Sequence, residues 1–304
     1  MAASDLDKER AQQLHAEAMK LDGEGKCQEA LDKYAEAIAL HPEKSESHYN
    51  SGLILKYAGD WERSFAFNKS AHDLAPDDEA ARWNLGIAAT ALRDWRTARR
   101  MWSGVGLQLD IELDEPIELN MGLTPVRLNP DEGAEVVWAR RIDPVRARIE
   151  SIPLPESGYC HGDIVLHDGA AVGYRMNGDK KCPVFNVLEL FEQSAFSTFS
   201  LTVDAASPES AAELLQLLSG EDMQAEDWTE NIRTLCKACS EGEPHEEHDH
   251  DAEDDGEWKP RRSFGVAALS LEAVRQAAAA WSGGTISEIE CTLSAEDEDD
   301  EDAE

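Results

Sequence analysis

The sequence predicts a multi-domain chain: an all-α array of helical-hairpin repeats, then a small β-barrel-like domain, then an α+β domain. Three observations support this prediction. A 34-residue period runs through the first part, short β-type runs replace the Ala-rich helical periodicity after Leu109, and strand and helix patterns alternate from Phe196 onward. The expected domains are residues 1–109, 110–195 and 196–294.

The repeat consists of identical residue types that stand 34 positions apart. The matching positions are Gly25 and Gly59, Pro42 and Pro76, Gly52 and Gly86, and the dipeptides Asp60-Trp61 and Asp94-Trp95. In this register the units are residues 11–44, 45–78 and 79–109, and each holds two helical stretches around a short turn. Proline closes the first two units, where its ring blocks helix continuation.

Small and large packing residues recur at matching positions of the units. They are Ala18, Gly52 and Gly86 in the first helices, and Ala30, Ser64, Ala98, Ala37, Ala71, Tyr34 and Trp102 in the second helices. This pattern resembles the tetratricopeptide repeat (TPR) family, and the chain as a whole resembles a bacterial protein of that family. The sequence departs from the pattern at Asn68, where an aromatic residue is expected, and at Arg93, where the turn glycine is expected.

The resemblance implies that three stacked hairpins form a groove for a protein or peptide partner. The groove residues it implies are His15, Met19, Asn50 and Asn84. Some family members clamp a C-terminal carboxylate with basic and amide groups on this face, but the face carries little basic charge here, so carboxylate clamping is not expected. The alternative is that the repeats pack only against the rest of the same chain.

The short β-type runs in the middle of the chain predict strands at residues 125–128, 135–141, 147–152, 163–167, 171–176 and 183–190. Asp168-Gly169 and Asn177-Gly178 are typical of hairpin turns between such strands. From Phe196 the order β-α-β-β-α-β suggests a ferredoxin-like α+β domain. Ser207 and Ser270 are placed to cap its two helices, and residues 236–261 form an insertion between its halves.

The insertion contains the motif CKACSEGEPHEEHDH. Cys236, Cys239, His245 and His248 supply the four ligands of a tetrahedral zinc ion, with His250 as an alternative fourth ligand. Because the insertion has few apolar residues, a structural zinc would provide the free energy that orders it. Two other interpretations stay open: an acidic loop that happens to contain histidines, and a redox dithiol.

The sequence contains none of the phosphate-loop, dinucleotide, metalloprotease or serine-hydrolase motifs, so no catalytic residue is assigned and a non-enzymatic scaffold is the preferred function. A metal-dependent hydrolase and a metal-handling protein that uses the acidic, His-containing insertion are the alternatives. A second group contains Cys160, His161, Asp163, His167, Asp168 and Cys182. Alternating residues of a strand point to different faces, so one shared site is not expected, and the group is interpreted as a core cysteine and solvated turn residues.

The formal charge of −35, from 63 acidic and 28 basic residues, argues against nucleic-acid and anionic-membrane partners. Residues 295–304 are predicted to form a disordered acidic tail. The N-terminus lacks a secretory signal, no stretch is apolar enough to span a membrane, and the six cysteines are irregularly spaced. We therefore expect a cytoplasmic protein with reduced thiols or metal ligands.

Overall fold

Three helical hairpins form the N-terminal part of the computed structural model, which describes residues 3–231 and 258–295. The chain divides into two units, Met1–Glu118 and Leu119–Glu304. The helices of the first unit are α1 (Asp5–Gly23), α2 (Cys27–Leu40), α3 (Ser45–Tyr57), α4 (Trp61–Leu74), α5 (Glu79–Ala91) and α6 (Trp95–Gly104). Each predicted repeat thus contains one helix pair.

The turn inside each hairpin uses one residue in the left-handed conformation. Gly25 has φ 76°, Gly59 has φ 70° and Arg93 has φ 58°. Glycine adopts this conformation freely, whereas the side chain of an L-residue costs about 1–2 kcal/mol there. The third hairpin therefore makes the same turn as the other two in spite of its arginine.

Carboxylates cap the helices that follow two of these turns. Asp60 accepts from the Arg63 N–H at the start of α4, and Asp94 accepts from the Thr97 N–H at the start of α6. Such N-caps satisfy backbone donors that have no partner within the helix.

Glycine allows close helix contact in the second and third hairpins. A Cβ atom on Gly86 would lie 2.6 Å from the ring of Trp102, and one on Gly52 would lie 2.5 Å from the amide of Asn68. Asn68, which replaces the expected aromatic residue, donates to the Ser64 carbonyl at 2.9 Å, and the Ser64 hydroxyl donates to the Gly52 carbonyl at 2.8 Å. The second hairpin therefore has a polar core where the third has an indole.

The segment that follows α6 in the first unit is held in place by hydrogen bonds from one arginine side chain. Arg99 is buried and donates to the carbonyls of Asp110, Glu115 and Pro116 at 3.2, 2.9 and 3.0 Å. Three carbonyls on one guanidinium satisfy most of its donors in a buried position.

The second unit is rich in β-structure and contains two sheets. The strands of the first sheet are β1 (Leu123–Leu128), β2 (Glu135–Arg141), β3 (Arg146–Ile149), β4 (Ile164–Asn177) and β5 (Lys180–Glu192). Neighbours in sequence pair antiparallel, and β5 also pairs parallel with β1, so the sheet closes on itself. Its interior is filled by Val126, Leu128, Val137, Ala139, Ala147, Ile149, Val165 and Val187.

One of the two predicted turns in this sheet is wrong. Asn177-Gly178 forms the expected hairpin turn, with Asn177 opposite Lys180. Asp168-Gly169 instead lies inside β4, where the register shifts between His167 and Ala171. An Asp-Gly pair is therefore compatible with an irregular position inside a long strand as well as with a turn.

The strands of the second sheet are β6 (Ser197–Ala205), β7 (Met223–Asp227), β8 (Arg261–Ala268) and β9 (Gly284–Leu293). The helices between them in sequence are α7 (Pro208–Leu217), α8 (Trp228–Asn231) and α9 (Leu271–Ala279). Its strand order is β7-β8-β6-β9, and every neighbouring pair is antiparallel. Ser207 and Ser270 cap α7 and α9 as predicted. The two helices cover one face, over a core that includes Phe199, Leu201, Phe264 and Val274.

Trp228 fastens the two sheets of this unit together. Its indole N–H donates to the Ile152 carbonyl at 3.2 Å, and its ring packs with Ile152 and Ala267. A Cβ atom on Gly265 would lie 2.1 Å from that ring, so glycine leaves the space that the indole occupies.

Among the helices within residues 3–231 and 258–295, none has the length and hydropathy needed to cross a bilayer.

Candidate functional site

The first helices of the three hairpins, α1, α3 and α5, stand side by side and are joined by polar contacts. Nδ1 of His15 lies 2.9 Å from the Ser47 hydroxyl, which links α1 to α3. The Lys56 ammonium donates to Oδ1 of Asn84 at 3.2 Å, which links α3 to α5. These contacts fix the spacing of the surface that the sequence predicts as a partner groove.

Asn50, another predicted groove residue, also links neighbouring hairpins. Its amide donates to the Tyr34 hydroxyl at 3.0 Å, and the Tyr34 ring meets the His15 ring edge to face at a centroid distance of 5.4 Å. Burial, followed by the nearby Lys44 ammonium, lowers the pKa of His15. The His15 ring is therefore a neutral packing group at pH 7.

Three equivalent apolar residues show how the exposure of this face changes along the stack. Met19, Leu53 and Ile87 stand 34 residues apart in α1, α3 and α5. The Met19 side chain is 55% exposed, Leu53 is half-buried and Ile87 is 1% exposed. Residues 84–90 of α5 are all buried, so this part of the helix is covered on all sides. The face is therefore accessible at the first repeat and closed at the third.

The structure thus divides the four predicted groove residues. Met19 is exposed and Asn50 is half-buried, whereas His15 and Asn84 are each 6% exposed. Lys56 is a further residue of this site and is not among those predicted. It is 3% exposed and holds its ammonium 4.3 Å from the Tyr57 ring centroid. No sequence signal distinguishes it, because a lysine in an amphipathic helix is normally solvated.

The cysteine and histidine motif lies outside the described residues. The motif includes all five predicted zinc ligands, which are Cys236, Cys239, His245, His248 and His250. Within residues 3–231 and 258–295, no group of three or more His, Cys, Asp or Glu side chains could hold a metal ion.

The second group of cysteines and histidines is more buried than predicted. Asp163, His167 and Asp168 were expected to be solvated turn residues and are instead 2%, 0% and 5% exposed. The reason is that β4 continues through this stretch as a bulged strand. Asp163 accepts from the N–H groups of Cys160 and Ser194, both at 2.8 Å, and so closes a loop at the end of the first sheet.

His167 is a structural group in this arrangement. Its Nδ1 lies 2.8 Å from the Asp168 carbonyl, and its ring stacks on Phe185 at a centroid distance of 4.9 Å. A carbonyl only accepts, so Nδ1 carries the hydrogen. Burial lowers the pKa of His167 to about 4 and raises the pKa of the Cys160 thiol to about 11. A protonated thiol is not an activated nucleophile, and an imidazole with so low a pKa is a weak base.

No protein-family model matches the chain, and no curated protein matches it. Solved TPR domains are similar over its N-terminal part. The first TPR domain of Spaghetti (RPAP3), bound to the HSP90 peptide SRMEEVD, is 20% identical with a TM-score of 0.31, over 32% of this chain and 78% of that chain. The TPR2B domain of yeast Sti1 in its pHsp70 complex is 18% identical with a TM-score of 0.29, over 31% and 75%.

The TPR domain of Arabidopsis OM64 is 14% identical with a TM-score of 0.31, and the similarity covers 32% of this chain and 81% of that chain. Each of the three similarities covers about a third of the chain.

Proposed function

We propose that this chain is a non-enzymatic interaction scaffold whose helical repeats bind a protein or peptide through the accessible end of the α1–α3 face. One observation carries the proposal: Met19 is 55% exposed on a face whose residues His15 and Asn50 are fixed by hydrogen bonds. An exposed, flexible apolar side chain on a rigid surface is typical of an anchor point for a partner.

The hydrogen bonds around Met19 favour binding with little rearrangement. His15, Ser47, Asn50 and Tyr34 already hold α1, α2 and α3 in register. A preorganised surface loses less conformational entropy when it binds than a flexible surface does. The partner that fits this surface offers an apolar side chain to Met19 and Leu53.

Photo-crosslinking tests this proposal. A benzophenone amino acid replaces Met19 in one full-length variant and Ala66, which is exposed on α4, in the control variant. We expect a polypeptide that crosslinks at Met19 and not at Ala66. That polypeptide should bind the Met19→Asp variant about tenfold more weakly than the unmodified chain, as expected when a charge replaces a buried anchor. Equal crosslinking at both positions would contradict the proposal as unspecific capture, and a crosslink from Met19 only to the same chain would favour the alternative that the repeats pack only within the chain.

Two finer assignments complete the proposal. The order of β6 to β9 with α7 and α9, and the strand order of their sheet, support a ferredoxin-like arrangement for the last part of the second unit. The ligand types and spacing of Cys236, Cys239, His245 and His248 support a structural zinc loop in the sequence between β7 and β8.

A further inference from the structure

The outer edge of β9 carries no partner strand within the described part of the chain. The sheet order β7-β8-β6-β9 leaves β9 at one end, paired only with β6. An edge strand presents unpaired N–H and C=O groups that can pair with another extended chain. This edge is ten residues long, from Gly284 to Leu293, which is longer than an average strand.

A groove of about 380 Å³ runs beside this edge, between β9 and α9. It is lined by Arg275, Ala278, Trp281, Ile286, Glu288 and Ile289. Gly284 brings β9 into this position, because a Cβ atom there would lie 2.1 Å from the Asp204 carbonyl oxygen and 2.7 Å from the Trp281 ring. A strand edge beside a groove that holds side chains is the arrangement used for strand addition.

Acidic and apolar side chains alternate in β9 from Glu288 to Cys291. Ile289 and Cys291 lie opposite Leu201 and Phe199, which belong to the core beneath the helices. Successive side chains of a strand point to opposite faces, so Glu288 and Glu290 alternate with Ile289 and Cys291. Both glutamates are exposed, and Glu288 also borders the groove. The edge therefore offers isoleucine side chains to the groove and two exposed carboxylates along the strand.

The sequence adds more negative charge directly after the strand. Eight of the nine residues 296–304 are Asp or Glu. A second copy of this chain would bring the same acidic groups against β9, and two chains with a formal charge of −35 repel each other. Charge complementarity therefore favours a basic occupant.

We infer that the free edge of β9 binds an extended basic peptide as an added strand, with alternate residues apolar and Lys or Arg. The apolar residues enter the groove beside Ile286 and Ile289, and the basic residues face Glu288 and Glu290. The longest regular stretch of the ladder between β6 and β9 is Glu288–Cys291, opposite Phe199–Thr202, because a register shift interrupts the ladder on each side of it. This stretch fixes the register of the peptide. The surface belongs to the second unit, so the inference stands without the function proposed for the helical repeats of the first.

Synthetic peptides and the full-length protein test this inference. The probe is a fluorescein-labelled peptide of about eight residues, a typical strand length, that alternates lysine with valine or isoleucine. The first control has the same composition with the lysines in one block. The second control carries N-methyl groups on alternate backbone nitrogens and so lacks the donors that a strand needs. Binding is measured by fluorescence anisotropy at two salt concentrations.

Charge reversal on the protein is the matched test. We expect Glu288→Lys with Glu290→Lys to weaken binding of the alternating peptide about tenfold or more, since two opposite charges become two like charges. Glu9→Lys with Glu17→Lys, both exposed on α1, makes the same change in net charge and should change affinity less than about twofold. The N-methylated and block peptides should also bind at least about tenfold more weakly.

Four results would overturn the inference. The first is no binding of the alternating peptide, and the second is equal weakening by both charge-reversal pairs. The third is a dimer in sedimentation experiments that Ile289→Glu dissociates, which would assign the edge to a second copy. The fourth is peptide binding that occurs only after deletion of residues 296–304, which would assign the edge to the chain's own acidic tail.

Discussion

The indole of Trp102 packs against the backbone of Gly86, so closely that a Cβ atom on the glycine would lie 2.6 Å from the ring. Trp102 is fully buried, and its Nε1 donates to the Thr90 hydroxyl at 3.4 Å. The contact joins α5 to α6 and sets the distance between the helices of the third hairpin.

Gly86→Ala is expected to destabilise the protein. The added methyl group must displace a buried indole, and overpacking of this kind costs about 1–3 kcal/mol, more than the roughly 1 kcal/mol of helix propensity that alanine gains. Urea unfolding measures the change. Gly23→Ala in α1 is the control, because a Cβ atom added there would have no neighbour within 4 Å. A Gly86→Ala variant as stable as Gly23→Ala would contradict the packing of Trp102 on Gly86.

Stability is expected to fall below pH 6.5 because of His167. Burial lowers the pKa of its imidazole to about 4, whereas the unfolded chain takes up a proton near its usual pKa of 6.5. The unfolded state thus binds more protons between these values, so the free energy of unfolding falls by about 1.4 kcal/mol per pH unit as pH decreases through this window.

The variant His167→Asn should remove this slope, because its amide replaces the Nδ1 donor and does not titrate. Urea unfolding at pH 7 and pH 5 measures the slope. His41→Asn, at the end of α2, is the control and should leave it unchanged. An equal pH dependence in His167→Asn and the unmodified chain would refute the role assigned to His167.

Glu135 is expected to lower the stability of the protein as pH rises, whereas His167 lowers it as pH falls. Its two carboxylate oxygens lie 3.3 and 3.1 Å from the Leu154 N–H, and burial, more than the nearby Glu226 and Glu156, raises its pKa to about 7. The folded state then holds a proton that the unfolded state loses above pH 4.5. The contribution to stability is present below pH 4.5 and is lost as pH rises through 7.

Glu135→Gln should therefore stabilise the protein at pH 8, by about 1–2 kcal/mol after allowance for solvent screening, and have little effect at pH 5. Thermal unfolding at the two pH values measures this difference. Glu132→Gln, in the exposed loop before β2, is the control and should have no effect at either pH. A loss of stability at pH 8 in Glu135→Gln would show that the charged form is the favoured one.

The cysteine and histidine motif predicts one tightly bound zinc ion per chain. Cys236→Ser should lose this ion, whereas Cys27→Ser, which changes an exposed cysteine of α2, should retain it. Metal content of the purified proteins after dialysis, measured by mass spectrometry, separates the interpretations. Several exchangeable ions would favour a metal-handling protein. The absence of metal would favour the interpretation of the motif as an acidic loop that happens to contain histidines.

The repeat period predicts the first unit well because it reports packing directly. Positions that approach a neighbouring helix must be small, and Gly52 and Gly86 recur for that reason. Capping serines are equally local signals, and Ser207 and Ser270 take the predicted positions. The Asp168-Gly169 turn was wrong because a two-residue signal does not distinguish a hairpin turn from a bulge inside a long strand.

The sequence by itself determined where the helices and most strands lie, because periodicity, caps and turn residues act over a few neighbouring positions. Only the tertiary structure decided which surfaces stay accessible. It buried His15, Asn84 and His167, left Met19 exposed, and placed β9 at the edge of its sheet beside a groove. Burial and strand order depend on contacts between residues far apart in the chain, and no local pattern specifies them.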